Sequence, residues 1–156
     1  MISIEIPGYH TLDLRHLVLD YNGTLAVDGR LLDGVEAQLL ALTRIVDLHI
    51  VTGNTYGDAR EHLRGCPAEV VCLPVSGQAQ AKREYVQRLG AQHVAAVGNG
   101  RNDAPMLERA ALGIAVAGTE GLACDALQAA DVVVHHAVDA LGLLLHPKRL
   151  IATLRS

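Results

Sequence analysis

The 156-residue chain is half hydrophobic yet carries no Trp or Phe and four Tyr, so its core must be built from aliphatic side chains. A formal net charge of −4 and a pI near 6.0 provide no global pull on nucleic acid. No apolar run approaches the ~20 residues of a membrane span, and the opening MISIEIPGYH lacks the basic start and apolar centre of a signal peptide. The expectation is a single cytoplasmic domain over residues 1–156, without membrane insertion, burying roughly 70% of its unfolded surface.

In chain order, ISIEI and TLDLRHLVLD both alternate around PGYH, which predicts an N-terminal hairpin over residues 1–16 whose second arm runs on into a strand ending at Asp20. Residues 33–45 predict a helix with Asp33 as cap and Val35, Leu39, Leu42 and Val46 on one face. LHIVTGN (48–54) is an apolar run ending in a polar turn. Residues 58–65 predict a short helix, 68–73 a short strand, and 76–90 a helix capped by Ser76 and stopped by Gly90. HVAAVGNG (93–100) reads as a strand entering a glycine-rich turn, and 103–111 as a helix with Pro105 in its first turn. Strands over 112–118 and 131–135 flank another helix, and a last helix ends the chain with a bend or break at Pro147. Short apolar strands alternating with helices imply right-handed βαβ units and a mainly parallel, Rossmann-like sheet in a three-layer α/β/α sandwich.

Cys66, Cys72 and Cys124 are odd in number and fit no zinc spacing, so they read as small buried hydrophobes. His135 and His136 follow an apolar run and read as strand-end residues rather than metal ligands.

In open α/β sheets ligands collect beyond the carboxyl ends of the strands. Three strands here end in polar turns, at 20–24, 52–54 and 98–103, and Lys82 lies in the helix that precedes the last of them. Each feature has a plain structural alternative. Asp20 before Asn22-Gly23 fits a turn, Thr52 before a glycine is common in loops, and a lone lysine on a helix is usually solvated. Together they make a coherent chemical set. A carboxylate can attack phosphorus to form an aspartyl-phosphate. Thr52 with nearby backbone N–H groups can hold phosphoryl oxygens that Lys82 neutralises. Asp20 and the oxygens of the 98–103 turn suit a hard cation such as Mg²⁺.

LDYNGTLA, VTGN, Lys82 and VGNGRNDAPML resemble the four ordered motifs of the haloacid dehalogenase superfamily. From Val97 onward the wording is similar to the phosphorylation domain of P-type ATPases. The resemblance implies that Asp20 is the nucleophile and a metal ligand. It gives Asn22 a backbone carbonyl on Mg²⁺, and makes Thr52, Gly53 and Lys82 the phosphate binders. Asn99 and Asp103 would complete the acidic end of the metal site, with Asn102 bracing it and counted among the phosphate binders. It also implies an enzyme acting on a phosphorylated small molecule or protein.

Three positions depart from the superfamily pattern. Asn22 stands where hydrolytic members carry an acid/base Asp, and losing such a group typically costs about 10²–10⁴ in rate. Asn99 offers the metal an uncharged oxygen in place of a carboxylate, and Asn54 replaces the Asp of the ATPase TGD motif. A slow phosphohydrolase or phosphotransferase is the expectation. The alternatives are a regulatory or partner-binding module retaining the pocket, and the phosphorylated subunit of a two-part ATPase. Neither 26–46 nor 55–81 has room for a cap domain, so a large substrate or a dimer or tetramer is expected to cover the pocket.

Overall fold

The computed structural model describes residues 1–53 and 58–156. The six strands of the central sheet are β3 (His16–Asp20), β6 (Asp47–Thr52), β7 (Glu69–Cys72), β8 (Val94–Gly98), β9 (Leu112–Val116) and β10 (Val132–Val134), all parallel, in the spatial order β10-β9-β8-β3-β6-β7. Strand order reverses between β3 and β8, so the crevice of this fold lies where Asp20 and Gly98 end their strands.

The pleat sends alternate residues to two apolar layers. Leu17, Leu19, Ile50, Ala95 and Val97 join one cluster with Val35, Leu39, Ala140, Leu141 and Leu144, residues of α1 (Val35–Leu42) and α6 (Ala137–Leu145). Val18, Val51, Ala96 and Ala115 join the other with Tyr85, Val86, Met106, Leu107 and Ala126, from α3 (Gln78–Arg88), α4 (Ala104–Arg109) and α5 (Cys124–Ala129). Three layers result, as the alternation of strands and helices implies. The chain breaks at His146, and α7 (Pro147–Leu154) starts on the proline, which has no N–H to lose in a first turn. Among the described residues, no helix is long and apolar enough to cross a membrane.

The expected hairpin forms between β1 (Ile2–Ile4) and β2 (Leu12–Leu14), but its second arm does not continue into the Asp20 strand. At Arg15 the backbone changes partners, donating to His93 O and accepting from the Asp47 N–H, and the chain passes into the central sheet. Caps also differ from expectation. Gly34 and Gly77, both with positive φ, precede α1 and α3, and neither Asp33 nor Ser76 occupies the cap. Cys66 is buried, but Cys72 and Cys124 are exposed: Cys72 lies on edge strand β7 and Cys124 is the first residue of α5.

One element was not anticipated. β4 (Ala26–Val27) and β5 (Arg30–Leu31) form a tiny antiparallel hairpin directly after the Asp20 turn. Its turn residues Asp28 and Gly29 both have positive φ, the geometry for which Asp-Gly is preferred. No cap domain occurs among the described residues: α1 follows this hairpin, and the second interval holds α2 (Asp58–His62), β7 and the start of α3.

Candidate active site

Asp20 ends β3, Lys82 lies one turn into α3, and Asp103 ends the short turn after β8. The fold brings the three together. Lys82 Nζ donates to Asp20 Oδ1 at 2.7 Å and to Asp103 Oδ1 at 2.6 Å. Lys82 is 1% exposed and Asp103 fully buried, so these are charge-assisted bonds out of water. Asp103 Oδ2 accepts the Asn99 N–H at 3.0 Å and the Gly100 N–H at 2.8 Å. That wrap depends on Gly98, because a Cβ there would lie 2.5 Å from the Asp103 carboxyl carbon.

Burial, reinforced by the Asp103 charge, pushes the Asp20 carboxyl up to about 7 against the opposing pull of Lys82 and of the Thr24 hydroxyl. Burial alone would lower the Lys82 ammonium, but the two carboxylates outweigh it and hold its pKa above the usual lysine value. The lysine therefore stays charged.

Thr24 Oγ1 lies 3.2 Å from both Asp20 Oδ2 and Asn99 Oδ1, with one proton to share between them. Asn99 Nδ2 donates to Gly121 O at 3.1 Å, so this side chain ties the Asp20 turn to the loop after β9. The Tyr21 carbonyl accepts the N–H groups of Thr24, Leu25 and Ala26, curling the chain back after the nucleophile position, and its hydroxyl pairs with His62 Nδ1 at 2.7 Å.

Above the triad opens a cavity of about 450 Å³, lined by Asp20, Asn22, Gly53, Gln78, Asn99, Gly100 and Asn102. Of the eight positions singled out in the sequence, five face this space. Lys82 and Asp103 do not line it: both are buried, and Lys82 reaches the cavity wall only through its bond to Asp20. Thr52 is buried at the end of β6, one residue beyond Val51, the register partner of Asp20. Asn54 lies outside the described residues. A larger cavity, about 650 Å³, sits away from this chemistry, between the Tyr9–His10 loop and α4–α5.

Sequence reasoning did not single out Gln78. It stands at the start of α3, four residues before Lys82 and so on the same helix face, which is the signal that could have found it. Its Oε1 accepts Asn102 Nδ2 at 3.1 Å.

The donors fit a hard cation in kind. Asp20, the Asn22 carbonyl and the Asn99 amide all supply oxygen. They are poor in charge, and among the described residues no cluster of three His, Cys, Asp or Glu side chains could hold a metal.

Residues 78–140 match the family model described as haloacid dehalogenase-like hydrolase. An uncharacterized protein of Methanocaldococcus jannaschii is 47% identical over 62 residues, which is 40% of this chain and 67% of that protein. The fold recurs in the 3-deoxy-D-manno-octulosonate 8-phosphate phosphatase of Moraxella catarrhalis, solved with magnesium ion, phosphate ion and KDO. Its TM-score is 0.67 at 18% identity, covering 92% of this chain and 95% of that one. A zinc-transporting PIB-type ATPase matches with a TM-score of 0.63 and 28% identity, over 80% of this chain and 20% of the ATPase. Motif order, parallel sheet, buried lysine–carboxylate triad and sequence match agree, and the chain belongs to the haloacid dehalogenase-like hydrolases.

Proposed function

We propose that the protein is a Mg²⁺-dependent phosphohydrolase or phosphotransferase working through an aspartyl-phosphate on Asp20, with slow turnover. One observation carries the reading: a charged lysine bridges Asp20 and Asp103 beneath a cavity otherwise walled by neutral amides and backbone. Such a pocket offers a phosphoryl group one oriented nucleophile and a buried positive charge, with the backbone N–H of Gly53 nearby.

In the first step an Asp20 oxygen forms a bond to phosphorus as the bond to the leaving oxygen breaks. The leaving oxygen takes its proton from water, because the Asn22 amide cannot supply one. Water then attacks the aspartyl-phosphate, its proton passes to solvent, and inorganic phosphate and the Asp20 carboxylate are released. Another hydroxyl in place of water makes the same step a transfer. Lys82 fixes the carboxylate through Oδ1 and offsets charge on the phosphoryl group. Mg²⁺, held by Asp20, the Asn22 carbonyl and the Asn99 oxygen, with Asp103 behind them, would reduce repulsion between nucleophile and phosphate. The substrate is a phosphorylated small molecule or protein. A large substrate or a second copy of the chain would cover the open cavity.

A second reading is favoured by Asn99, whose amide is committed to Thr24 and Gly121 and carries no charge toward a cation. On that reading the domain is a partner-binding sensor that keeps the pocket with negligible turnover. Incubation with Mg²⁺ and a panel of labelled phosphate donors separates the two. Phosphoenzyme or released phosphate that disappears in Asp20→Asn is the expected result. Transfer that survives the substitution rules out the mechanism, and the absence of both products across the panel points to the sensor.

A further inference from the structure

Gln78 is the pocket residue that neither family motif nor sequence spacing assigns. Its side chain crosses from the start of α3 to the turn at Asn102, where Oε1 accepts the Asn102 amide. The other end of the carboxamide lies over Gly53. A Cβ on Gly53 would stand 2.1 Å from Gln78 Nε2 and 2.6 Å from its carboxamide carbon, so position 53 must lack a side chain for Gln78 to lie there. With Oε1 committed to Asn102, the NH₂ group is left at the wall of the cavity, beside the backbone of Gly53. Gln78 and Lys82 are one helical turn apart on α3, so the same helix supplies a buried cation behind Asp20 and an amide donor at the wall.

We propose that Gln78 is a phosphate-contact residue, donating an Nε2 N–H to an oxygen of the phosphoryl group bound over Gly53 while Asn102 holds its carbonyl in place. This rests on the reading of the cavity as a phosphoryl pocket and deepens it. The chemistry follows from the orientation. A carboxamide pinned by its oxygen can present only donors, and donors suit an anion. It adds a hydrogen bond without adding charge, in a pocket whose nearest ammonium, that of Lys82, is buried behind Asp20.

Two substitutions separate this role from a merely structural one. Gln78→Leu removes both the donor and the Asn102 acceptor. Gln78→Glu keeps an acceptor for Asn102 but replaces the NH₂ with a charged oxygen facing the anion. If Gln78 only braced Asn102, the glutamate variant would behave like the natural protein and the leucine variant would be the defective one. If it contacts phosphate, glutamate is the worse of the two.

The readout is inorganic phosphate binding by calorimetry in the presence of Mg²⁺, with the melting temperature of each variant as a folding control. The expected result is roughly tenfold weaker binding for Gln78→Leu, the usual worth of a hydrogen bond to a charged group, and a still larger loss for Gln78→Glu. Glutamate binding phosphate as tightly as the natural residue, or both variants doing so, overturns the assignment while leaving the phosphoenzyme mechanism standing. A natural protein that binds no phosphate and forms no phosphoenzyme overturns both.

Discussion

Two buried polar clusters lie under the same helix, one at the carboxyl ends of the strands and the other one turn back toward their starts, and they are built on different physics. At the carboxyl end of the strands, the Lys82 ammonium of α3 bridges Asp20 and Asp103 at 2.7 and 2.6 Å. One turn further along α3, Tyr85 packs over a pair of histidines. Its hydroxyl lies 2.9 Å from His49 Nδ1, and His49 Nε2 lies 3.2 Å from His16 Nδ1. Glu69 approaches the same His49 nitrogen at 3.3 Å. Burial, with Glu69 beside it, pushes the Tyr85 hydroxyl up to about 12, so it stays protonated. Burial, then the neighbouring His16, pulls the His49 pKa down, with Glu69 and Asp47 opposing.

The charged cluster opens on a cavity through Asp20, whereas His16, His49 and Tyr85 line neither that cavity nor the one of about 650 Å³. The difference separates two reasons for burying polarity. An uncompensated buried charge is costly, so a charged triad is retained where chemistry uses it. The His–Tyr set satisfies its hydrogen bonds within itself and anchors β3, β6 and α3 to one another.

Four measurements would break or sharpen this contrast. The largest effect is expected at the charged end. Asp20→Asn should reduce phosphoryl transfer by on the order of 10⁴-fold or more, as loss of a covalent nucleophile does, while leaving the fold intact. A donor panel scored for released phosphate checks it. Second, Lys82→Met should destabilise the protein by about 3–5 kcal/mol in denaturant titration, because it strands two carboxylates in the interior. Adding Asp103→Asn should recover part of that loss, and no recovery would mean that the lysine acts by packing alone.

Third, Asn22→Asp should raise phosphatase turnover or hasten dephosphorylation, by up to about 10²-fold if the restored carboxyl reaches the leaving oxygen. Single-turnover decay of the phosphoenzyme reads this, and an unchanged rate would sever the link between Asn22 and slow turnover. The smallest effect belongs to the histidine end. His49 binds a proton less readily in the folded chain than in the unfolded one. Its contribution to stability is therefore complete above the unfolded histidine value, about 6.5, and is lost as pH falls below it. Asp20, raised to about 7, contributes a slope of opposite sign over part of pH 5–8. The test is therefore the difference: unfolding midpoints should rise with pH more in the natural chain than in His49→Gln. Equal slopes would remove His49 as a source of the pH dependence.

The charged site was legible in the sequence because it is built at strand ends. Asp20, Thr52 and Gly98 each follow a recognisable apolar run, and parallel strands bring such ends to one rim whatever lies between them. Lys82 was legible through its place in the motif order, since a lysine on a helix carries no signal of burial. The His16–His49–Tyr85 set was not legible. Its members are 33 and 36 residues apart and follow no motif, and each alone reads as an ordinary strand or helix residue. The β4–β5 hairpin was written in Asp28-Gly29, but two-residue strands give no alternation to read. Ser76 and Asp33 were plausible caps by residue type and were displaced by glycines, because the loops enter both helices through left-handed backbone.

By itself the sequence determined the alternation of strands and helices, the sandwich they imply, and the order in which acid, hydroxyl, lysine and glycine-rich turn arrive. Those properties depend on residue type and short-range period, which act within a few residues. Tertiary structure alone decided which oxygens Lys82 takes, how Asp103 is enclosed by the turn it ends, and that Gln78 lies across Gly53. These outcomes depend on distances between segments far apart in the chain, set only once both faces of the sheet are packed.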